Sequence, residues 1–594
     1  MKLAVIGLGS MGKRRIRSLH KLGYPSIVGA DSRPDRRTEV ESHYGIRTFA
    51  SAGEALAVAL PDAVIISVPP QAHHQMMRLA LDRRLGFFVE ASVLTDGMKE
   101  IRQEAARIGV VAAPSATLVF HPAIEMVRQL IANGRVGKVS NVIFHSGQYL
   151  PDWHTYEQVS DFYVSKRETG GAREIVPFEL TWLTKLLGFP KRVCGNVRKT
   201  IAIAGAELID DTYNLLLDYG SALSTVTVDV VSRHATRQLV INGDGGQIVW
   251  NWDQPIVRVF DGEAKSWSEL PYNVGSAAAL YSQNIGEDMY VRELEAFLGA
   301  VQGRRQFPNT LAADHRVLDL LYAFEQADAA GTYVPIHPVT AILVTARCSS
   351  TRLPRKHFAQ IEGRPAISYL LQRLQTEFRH DIANGRVIVA IAAPDDQENR
   401  AFEEFRSPDT EIVYGAADNV PARHLQVADA LGADYLVAVD GDDLFTSMKK
   451  TRAVIQGLES GHSYVVTSGL PLGMNPFGYS RAALQRALGS FGESLLDTGW
   501  THVFDGTPVF TIGEAASNLD GLRFTLDYPE DLEFTGAVVR ALGERVFTAQ
   551  DSEIIECVQS GRLSDMNAAV TEHYWENFNR LRDAQLAAAK KVVE

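Results

Sequence analysis

Basic side chains crowd the segment TARCSSTRLPRK at residues 345–356, directly after the apolar run at residues 341–344. The apolar run predicts a buried strand, and the basic segment predicts a loop at the carboxyl end of that strand. The cations of this loop are Arg347, Arg352, Arg355 and Lys356. Guanidinium and ammonium groups at such a strand end suit the oxygens of a polyphosphate. We therefore predict an anion site here.

Carboxylates follow two later segments that have strand patterns. The apolar run at residues 435–439 ends in Asp440, Asp442 and Asp443, and the run before Asp527 predicts another strand end. Carboxylates crowded in this way repel one another unless a cation offsets their charge. A basic phosphate loop and two carboxylates from separate strand ends are the parts required for Mg²⁺-assisted attack on an α-phosphate.

Each of these motifs also has a plain structural explanation. A solvated charged surface explains the run RLPRK, and a turn in which Gly441 adopts a positive φ explains the acidic cluster. One motif alone therefore carries little weight. Their order and separation along one chain favour a nucleotidyl-transfer site.

A second set of residues, near the start of the chain, has the spacing of a dinucleotide site. Gly7, Gly9 and Gly12 follow a strand pattern and permit a tight turn, a close approach of pyrophosphate, and close packing of a helix. The next strand pattern ends at Asp31, whose carboxylate suits ribose hydroxyls. Arg33 suits a 2′-phosphate instead. The residues therefore leave NAD and NADP as alternatives.

The series GLGSMG, DAVIISVPPQAH, FFVEAS and GRVGKV resembles the Gfo/Idh/MocA oxidoreductases. This resemblance implies a Rossmann domain followed by an α+β domain with an antiparallel sheet. It places the cofactor along Gly7, Gly9, Met11, Gly12, Asp31, Arg33, Pro69, His73 and Glu90. The family carries Glu-Lys-Pro at one strand end, where its lysine aids proton transfer. The matching residues here are Glu90, Ala91 and Ser92, and alanine cannot donate, accept or steer a proton.

The same resemblance directs attention to the segment before Trp182. The family pattern there carries His and Asp one helical turn apart, and Phe178 and Thr181 stand in those places. The polar candidates that remain are His154, Lys166, Glu174 and Glu179. We select His154 and Glu179, together with Glu90, as catalytic candidates. Helix capping or a surface ion pair explains the two glutamates of the segment equally well, and a packed histidine explains His154.

A series of motifs in the second half resembles the sugar cytidylyltransferases, namely ARCSSTRLPRK, IEGRP, YLLQRL, VDGDDLF and TLDYPEDL. The segments YGAADNVPARH and YWENFN are similar to the spore-coat polysaccharide (SpsF-like) branch of those enzymes. The resemblance implies that Arg347, Arg352 and Lys356 act on the nucleotide phosphates, and that Asp442 and Asp527 bind Mg²⁺. It places nucleotide or sugar beside Ala346, Arg347, Gly415, Asp418, Arg423 and Asp440. Leu444 departs from the pattern, which has a proline at that position.

Composition and charge exclude several other classes of protein. At 594 residues the chain is too long for one core, and 22% charged residues is ordinary for a globular protein. A net charge of −12 argues against a nucleic-acid or anionic-membrane binder, and no apolar run has the length of a membrane span. A strand pattern from residue 2 leads us to expect no signal peptide. Cys194, Cys348 and Cys557 fit a reducing cytoplasm rather than a disulfide framework.

We therefore expect an α/β protein with three domains. These are a Rossmann dinucleotide-binding domain at residues 1–120, an α+β substrate domain with an antiparallel sheet at 121–337, and a second doubly wound α/β domain at 338–594. The last is the cytidylyltransferase-like domain, and we expect it to end in a helical tail.

The predicted function combines two activities. The second half would transfer CMP from CTP to a sugar acid or sugar phosphate with Mg²⁺, and the first half would act on the same sugar pathway with NAD or NADP. We associate that pathway with surface polysaccharide or glycoconjugate synthesis, and expect a cytoplasmic homo-oligomer without nucleic-acid or membrane partners. Two alternatives stay open. The first half is a non-catalytic scaffold or binding module, or the oxidoreductase is the main activity and the second half is a degraded sugar-nucleotide sensor.

Overall fold

A computed structural model gives the structure of the protein. It describes residues 1–95, 97–153, 158–161, 163–273, 286–350, 352–489, 496–497, 499–513, 519 and 521–570. The chain divides into two compact units, Met1–His337 and Pro338–Glu594. Within the described residues, we find no helix that combines the length and the apolar character needed to cross a membrane.

The N-terminal unit begins with a six-stranded parallel sheet. Its strands are β1 (Leu3–Ile6), β2 (Ile27–Ala30), β3 (Arg47–Phe49), β4 (Ala63–Ile66), β5 (Gly86–Val89) and β6 (Ala112–Pro114), and its helices are α1 (Ser10–Lys21), α2 (Pro34–Tyr44), α3 (Ala52–Ala59), α4 (His73–Leu81) and α5 (Met98–Ile108). The strand order is β3-β2-β1-β4-β5-β6. Strands β1, β4 and β5 are buried along their whole length, as continuous apolar runs predict for strands covered on both faces. The order reverses between β1 and β4, and sheets of this kind bind ligands at the carboxyl edge of that position.

A nine-stranded, mostly antiparallel sheet completes the N-terminal unit. Its strands are β7 (Val139–Tyr149), β8 (Arg192–Arg198), β9 (Thr212–Asp218), β10 (Leu223–Asp229), β11 (Val231–Gly243), β12 (Gly246–Asn251), β13 (Ile256–Asp261), β14 (Ser266–Pro271) and β15 (Val334–Pro335). The helices are α6 (Pro122–Ala132), α7 (Ala172–Leu187), α8 (Asp288–Val301) and α9 (Leu311–Ala330). The strand order is β14-β13-β12-β11-β7-β10-β9-β8-β15, and β10 runs parallel to β7. Strands β8 and β9 alternate between buried and more exposed residues, because α7 and α9 pack on one face of the sheet.

The C-terminal unit is built on a seven-stranded sheet. Its strands are β16 (Thr340–Thr345), β17 (Gln360–Ile361), β18 (Arg364–Pro365), β19 (Val387–Pro394), β20 (Glu411–Gly415), β21 (Tyr435–Asp440), β22 (Tyr464–Thr467), β23 (Phe477–Ser480) and β24 (Phe510–Ile512), of which β17 and β18 form a separate hairpin. The helices are α10 (Ala366–Glu377), α11 (Arg379–Ala383), α12 (Val420–Leu431), α13 (Met448–Glu459), α14 (Arg481–Leu488), α15 (Pro529–Leu542) and α16 (Asp551–Ser560). The strand order is β20-β19-β16-β21-β23-β22-β24, with the first four strands parallel. The predicted α/β fold class is confirmed.

Strand β16 lies at the centre of this sheet and contributes to a core on each face. Ile342 and Val344 belong to one buried cluster, and Ala341 and Leu343 belong to the other. A strand that is buried on both faces can present polar groups only where it ends. The basic loop after Thr345 is therefore held at the carboxyl edge, beside the end of β21.

The predicted strand before Asp527 is not formed. The segment pairs only through an isolated bridge between Arg523 and Leu472, because the chain beside it is a loop and not a strand. The backbone N–H of Leu526 nevertheless donates to the carbonyl of Asp442 at 3.0 Å. Asp527 is thus brought to the carboxyl edge by a route that differs from the predicted one.

A buried charge network joins helices α1 and α8 of the N-terminal unit. Arg15 and Glu293 are both 0% exposed, and their side chains meet at 2.8 Å. The Glu293 carboxylate also accepts hydrogen bonds from the Ser115 hydroxyl at 3.0 Å, the Ala116 N–H at 2.6 Å and the Thr117 hydroxyl at 2.8 Å. Burial raises the pKa of Glu293, while Arg15 opposes that change. The carboxylate therefore fixes α8 against the carboxyl end of β6.

We predict that Glu293→Ala destabilises the N-terminal unit by about 3–5 kcal/mol, because it leaves a buried guanidinium with half of its partners. The matched control is Glu295→Ala on the same helix, since Glu295 is 59% exposed and lies 3.9 Å from Arg305. The control is expected to change stability by less than about 0.5 kcal/mol. Denaturant unfolding of both variants measures the difference, and equal stabilities would contradict the structural role given to Glu293.

Candidate active sites

Lys356 lies between two carboxylates at the carboxyl edge of the C-terminal sheet. Its ammonium group donates to Asp527 at 3.0 Å and makes a shorter contact with Asp442. Asp442 follows β21, Asp527 precedes α15, and Lys356 follows the basic loop. Burial alone would lower the pKa of Lys356, but the two carboxylates outweigh it and hold the pKa above its ordinary value. Two carboxylates that converge on one cation form the centre of this site.

Three cations surround the Asp527 carboxylate, which is 2% exposed. Arg352 donates to Oδ1 at 2.7 Å, beside Lys356, and Arg523 donates to Oδ2 at 3.1 Å. Arg523 also pairs with buried Asp531 at 2.7 Å, and Asp531 in turn accepts the backbone N–H of Asp527 at 3.0 Å. Sequence analysis did not select Arg523 or Asp531 as site residues. The only signal available was the charge of TLDYPEDL, whose third carboxylate, Asp531, caps α15 rather than facing a ligand.

Two further carboxylates remain protonated more readily than usual. Asp440 keeps an exposed surface, although protein atoms surround its carboxyl group. This desolvation, together with repulsion from Asp442, raises the pKa of Asp440 to about 7. Burial and the same neighbouring charges raise the pKa of Asp443 well above its ordinary value, although the Thr525 hydroxyl donates to it at 2.7 Å. The cluster therefore holds more negative charge than Lys356 alone offsets.

A second part of the site contains the residues predicted to border nucleotide or sugar. Arg347, which follows Ala346, pairs with Asp497 at 2.6 Å, and Asp497 also interacts with Asp440 and Arg423. Arg423 is 1% exposed and donates to the carbonyl of Ala416 at 3.2 Å, so it supports the turn after Gly415. Burial lowers its pKa to about 10.

Gly415 and Asp418 flank the turn that Arg423 supports. A Cβ at Gly415 would lie 2.4 Å from the side-chain oxygen of Gln426 and 3.3 Å from the Cα of Arg423, so α12 approaches this residue closely. Asp418 is exposed and its carbonyl accepts the N–H of Leu496 at 3.0 Å. Sequence analysis missed Asp497, which stands in no motif that we could recognise.

The donor set suits a hard divalent cation that shares its coordination with a ligand. Among the described residues, no three acidic, histidine or cysteine side chains are arranged around a common point. Asp442 and Asp527 would supply two oxygens, and phosphate oxygens and water would have to supply the rest of an octahedral Mg²⁺ shell. The residues present therefore fit a cation that arrives with a nucleotide.

The glycine turn of the N-terminal unit has the geometry of a phosphate cradle. Gly7 has φ +90°, and a Cβ at Gly12 would lie 1.8 Å from the carbonyl oxygen of Gly7. Gly9 has an ordinary φ of −72°, and a Cβ there would meet only the guanidinium of Arg36, at 3.4 Å. Gly7 and Gly12 are thus required by the turn itself, while Gly9 leaves space above the first turn of α1. That space suits a pyrophosphate at a helix N-terminus.

The acidic residue at the end of β2 orders the glycine turn. The Asp31 carboxylate accepts the N–H of Leu8 at 2.8 Å and the N–H of Arg33 at 2.9 Å. The side chain of Arg33 turns away and pairs with Asp35 at 2.5 Å. Arg36 instead approaches Asp31 at 3.8 Å, beside Gly9. The guanidinium beside the predicted ribose position is therefore that of Arg36.

An ion pair with Arg15 holds Glu90, the residue before the position of the absent lysine. Both of its oxygens accept from Arg15, at 2.7 and 2.8 Å, and the Ser67 hydroxyl donates to it at 3.1 Å. Ala91 follows directly, at the carboxyl end of β5. The side chain of Glu90 is 14% exposed and is therefore still accessible at the carboxyl edge of the sheet.

The other predicted cofactor residues lie on the same edge. Met11 is partly exposed in the first turn of α1, and Pro69 is exposed after β4. His73 is buried and its Nε2 contacts the carbonyl of Val68 at 2.8 Å. Burial lowers the pKa of His73 to about 4, so the ring is neutral at physiological pH. It serves to fix the turn after β4.

The catalytic candidates of the second sheet differ in their surroundings. Glu179 is fully buried and accepts from Ser146 at 2.8 Å, Trp182 at 2.9 Å and Arg237 at 2.7 Å. It therefore forms a buried ion pair with Arg237, and neither a helix cap nor a surface pair. His154 lies outside the described residues, as does the motif YWENFN.

Comparison with family models supports the division of the chain into two functional halves. Residues 1–114 match a model described as the oxidoreductase family with an NAD-binding Rossmann fold, and residues 124–249 match the GFO/IDH/MocA C-terminal domain. Residues 341–488 match a cytidylyltransferase model. Both predicted resemblances are confirmed, and the chain joins an oxidoreductase-like half to a cytidylyltransferase-like half.

Curated relatives match the second half. The chain is 32% identical over 125 residues to a 3-deoxy-manno-octulosonate cytidylyltransferase from Rhizobium leguminosarum bv. trifolii, over 20% of this chain and 46% of that protein. It is 29% identical over 134 residues to the protein of the same name from Anaeromyxobacter dehalogenans, over 22% and 52% of the two chains. The chain thus spans about half the length of the curated relatives it matches.

Solved structures resemble the first half in fold. An oxidoreductase from Agrobacterium radiobacter in complex with NAD⁺, L-tartaric acid and magnesium has a TM-score of 0.51 at 17% identity, over 56% of this chain and 98% of its own. A levoglucosan dehydrogenase in complex with NADH has a TM-score of 0.51 at 15% identity, over 57% and 99% of the two chains. At these identities the likeness is one of fold.

We predict that Asp440→Asn stabilises the C-terminal unit at pH 8 by about 1 kcal/mol, after allowance for solvent screening of an exposed group. Because the pKa of Asp440 is raised in the folded state, its ionisation opposes folding as the pH rises from about 4 towards 7. The gain should therefore shrink as the pH falls through that range. Thermal unfolding at a series of pH values, with exposed Asp409→Asn as control, measures it; a gain independent of pH would contradict the assignment.

Proposed function

We propose that the C-terminal unit transfers CMP from CTP to a sugar acid or a sugar phosphate. The observation that carries this proposal is the convergence of Asp442 and Asp527 on one cation, beside the arginines of the basic loop. Carboxylates that share a cation and lie beside arginine side chains are suited to transfer at a phosphate. The matched relatives are named for a sugar acid, so a 3-deoxy-octulosonate is the first acceptor to test.

The residues of the site would act by position and charge. Arg347 and Arg352 would bind the triphosphate in a bidentate manner, and Lys356 would turn from the carboxylates to the phosphate oxygens as nucleotide binds. Asp442 and Asp527 would hold Mg²⁺, which supplies Lewis-acid stabilisation of charge on the α-phosphate. The hydroxyl of a sugar acid, or a phosphate oxygen of a sugar phosphate, placed in line would then form the new P–O bond while the bond to pyrophosphate breaks. A hydroxyl acceptor would pass its proton to Asp440. Asp440 lies close enough to the carboxylate pair to assist the hydroxyl.

We further propose that the N-terminal unit binds NAD or NADP and oxidises or reduces a sugar of the same pathway. The glycine cradle and Asp31 support cofactor binding, and Arg36 beside Gly9 supports acceptance of a 2′-phosphate. Ala91 favours a second candidate, in which this unit binds the cofactor as a non-catalytic module. In both cases we place the protein in the cytoplasm as a homo-oligomer. Its three cysteines form no disulfide, which fits a reducing compartment.

Asp442→Ala is expected to lower pyrophosphate release from CTP by at least about 10²-fold, because it removes a ligand of the catalytic cation. Pyrophosphate formation is measured with CTP, Mg²⁺ and a panel of sugar acids and sugar phosphates, beside the other three nucleoside triphosphates. Asp409→Ala, an exposed carboxylate of a turn before β20, is the matched control and should keep full activity. Absence of turnover by the unsubstituted protein with every nucleotide and acceptor would contradict the transferase proposal.

Gly9→Phe is expected to abolish NADH and NADPH binding, because its ring would fill the space above the first turn of α1 without straining the backbone. Gly53→Phe in α3, where a Cβ meets nothing within 4 Å, is the matched control. Cofactor fluorescence titration measures both variants. Binding that is equal in Gly9→Phe and the unsubstituted protein would refute the cradle, and binding without sugar turnover would favour the non-catalytic module.

A further inference from the structure

A tyrosine and a glutamate face each other near the residue where the family's lysine is missing. The Tyr163 hydroxyl makes a short hydrogen bond to Oε1 of Glu174, a residue in the first turn of α7. Oε2 of Glu174 is buried and has no hydrogen-bond partner among the described residues. Tyr163 and Glu174 are each partly buried, and each residue keeps some exposed surface.

Hydrogen bonds place this pair at the carboxyl edge of the parallel sheet. The side chain of Gln71, in the turn after β4, donates to the Thr169 hydroxyl at 3.1 Å, and that hydroxyl donates to the carbonyl of Tyr163 at 2.9 Å. Arg173, next to Glu174, donates to the carbonyl of Val93 at 3.2 Å, two residues beyond Ala91. The segment that carries the pair is therefore held against the ends of both β4 and β5.

The same edge is where the nicotinamide half of a dinucleotide would lie. A cofactor whose pyrophosphate rests on Gly9 and whose ribose meets Asp31 extends from β1 across β4, because the strand order reverses between those strands. Glu90, at the end of β5, is close enough to Tyr163 for its charge to raise the pKa of the tyrosine hydroxyl. The Tyr163–Glu174 pair and the predicted nicotinamide position thus share the carboxyl edge of the parallel sheet.

Glu174 differs from the other buried glutamates of the unit. Glu293 and Glu179 each pair with an arginine and accept hydrogen bonds on both oxygens. Glu174 has no cationic partner in the described part of the chain, and burial raises its pKa to about 7 although the bond from Tyr163 opposes that change. A buried carboxyl group left in this state is costly unless it has a function that needs it.

We propose that Glu174, assisted by Tyr163, is the proton-transfer group that replaces the absent lysine at position 91. The proposal rests on the proposed binding of NAD(P) by this unit. During oxidation of a sugar hydroxyl, the nicotinamide ring accepts the hydride from the carbinol carbon. The hydroxyl proton passes to the Tyr163 oxygen as the tyrosine proton moves to Oε1 of Glu174, and the C–O bond becomes a carbonyl. Reduction reverses each transfer, so that atoms and electrons balance in both directions.

The test uses the charge of the nicotinamide ring and requires no sugar. The oxidised ring is cationic and the reduced ring is neutral, so a nearby Glu174 should bind NAD⁺ more tightly once it is ionised. The full chain is titrated calorimetrically with NAD⁺ and NADH, or with NADP⁺ and NADPH, between about pH 5.5 and 8.5. This range brackets the raised pKa of Glu174, about 7. We expect the ratio of NAD⁺ to NADH affinity to rise roughly three- to tenfold across that range.

Two variants assign the effect to this pair. Glu174→Gln should lose the dependence of the affinity ratio on pH and hold that ratio near the low-pH value of the unsubstituted protein. Tyr163→Phe should shift the midpoint of the ratio to higher pH, because the hydrogen bond lowers the pKa of Glu174. Exposed Glu168→Gln, on the same segment, is the control and should behave as the unsubstituted protein.

Each outcome decides between the proposals. A ratio independent of pH, or one that Glu174→Gln leaves unchanged, overturns the assignment of Glu174. If Glu174→Gln does not fold, the Tyr163→Phe midpoint decides, and an unshifted midpoint overturns the assignment. Failure of the unsubstituted protein to bind either cofactor refutes the proposed function of the unit instead. When a sugar substrate is found, Glu174→Gln should reduce the rate of NAD⁺ reduction by about 10²–10⁴-fold.

Discussion

Negative charge gathered at the carboxyl edge of a parallel sheet must be offset, and both units are organised around the cations that do so. In the C-terminal unit, Lys356 lies between Asp442 and Asp527, and Arg352 and Arg523 also pair with Asp527. In the N-terminal unit, Arg15 lies between Glu90 and Glu293. Removal of a buried charge's partner costs far more than the pair contributes. The cations therefore fix where neighbouring loops and helices can lie, and the open space beside them becomes the site.

The two units use these cations in different ways. Arg15 is fully buried and bound on both sides, so it serves the fold. Lys356 is slightly exposed and lies in a cluster with excess negative charge, which a bound cation would relieve. The partners of Arg15 are fixed, whereas Lys356 can exchange its carboxylate partners for those of a bound ligand. This contrast explains why the buried cation anchors a helix in one unit and marks a candidate cation-binding site in the other.

Much of the fold and part of each site could be predicted from the sequence. Continuous apolar runs predict strands buried on both faces, and the residues that follow neighbouring strands of one sheet lie at one edge. Asp31 accordingly contacts Leu8 in the N-terminal unit, and Asp442 contacts Lys356 in the C-terminal unit. Side chains that act across long sequence distances could not be predicted. Arg15 and Glu293 are separated by 278 positions, and Asp497 stands in no motif. The segment before Asp527 has a strand pattern, but its pairing depends on a neighbouring loop that local sequence does not reveal.

The position of helix α8 has a consequence for the order in which the chain acquires structure during synthesis. Leu294 and Phe297 of this helix pack into the core beneath β1 and β5, and Glu293 neutralises Arg15, yet all three follow the eight strands β7 to β14 of the second sheet in the sequence. A nascent chain that ends near residue 120 therefore exposes apolar surface and retains an incompletely paired guanidinium. The core of the dinucleotide fold is therefore completed only after the ribosome has passed α8, when eight strands of the second sheet have already been synthesised.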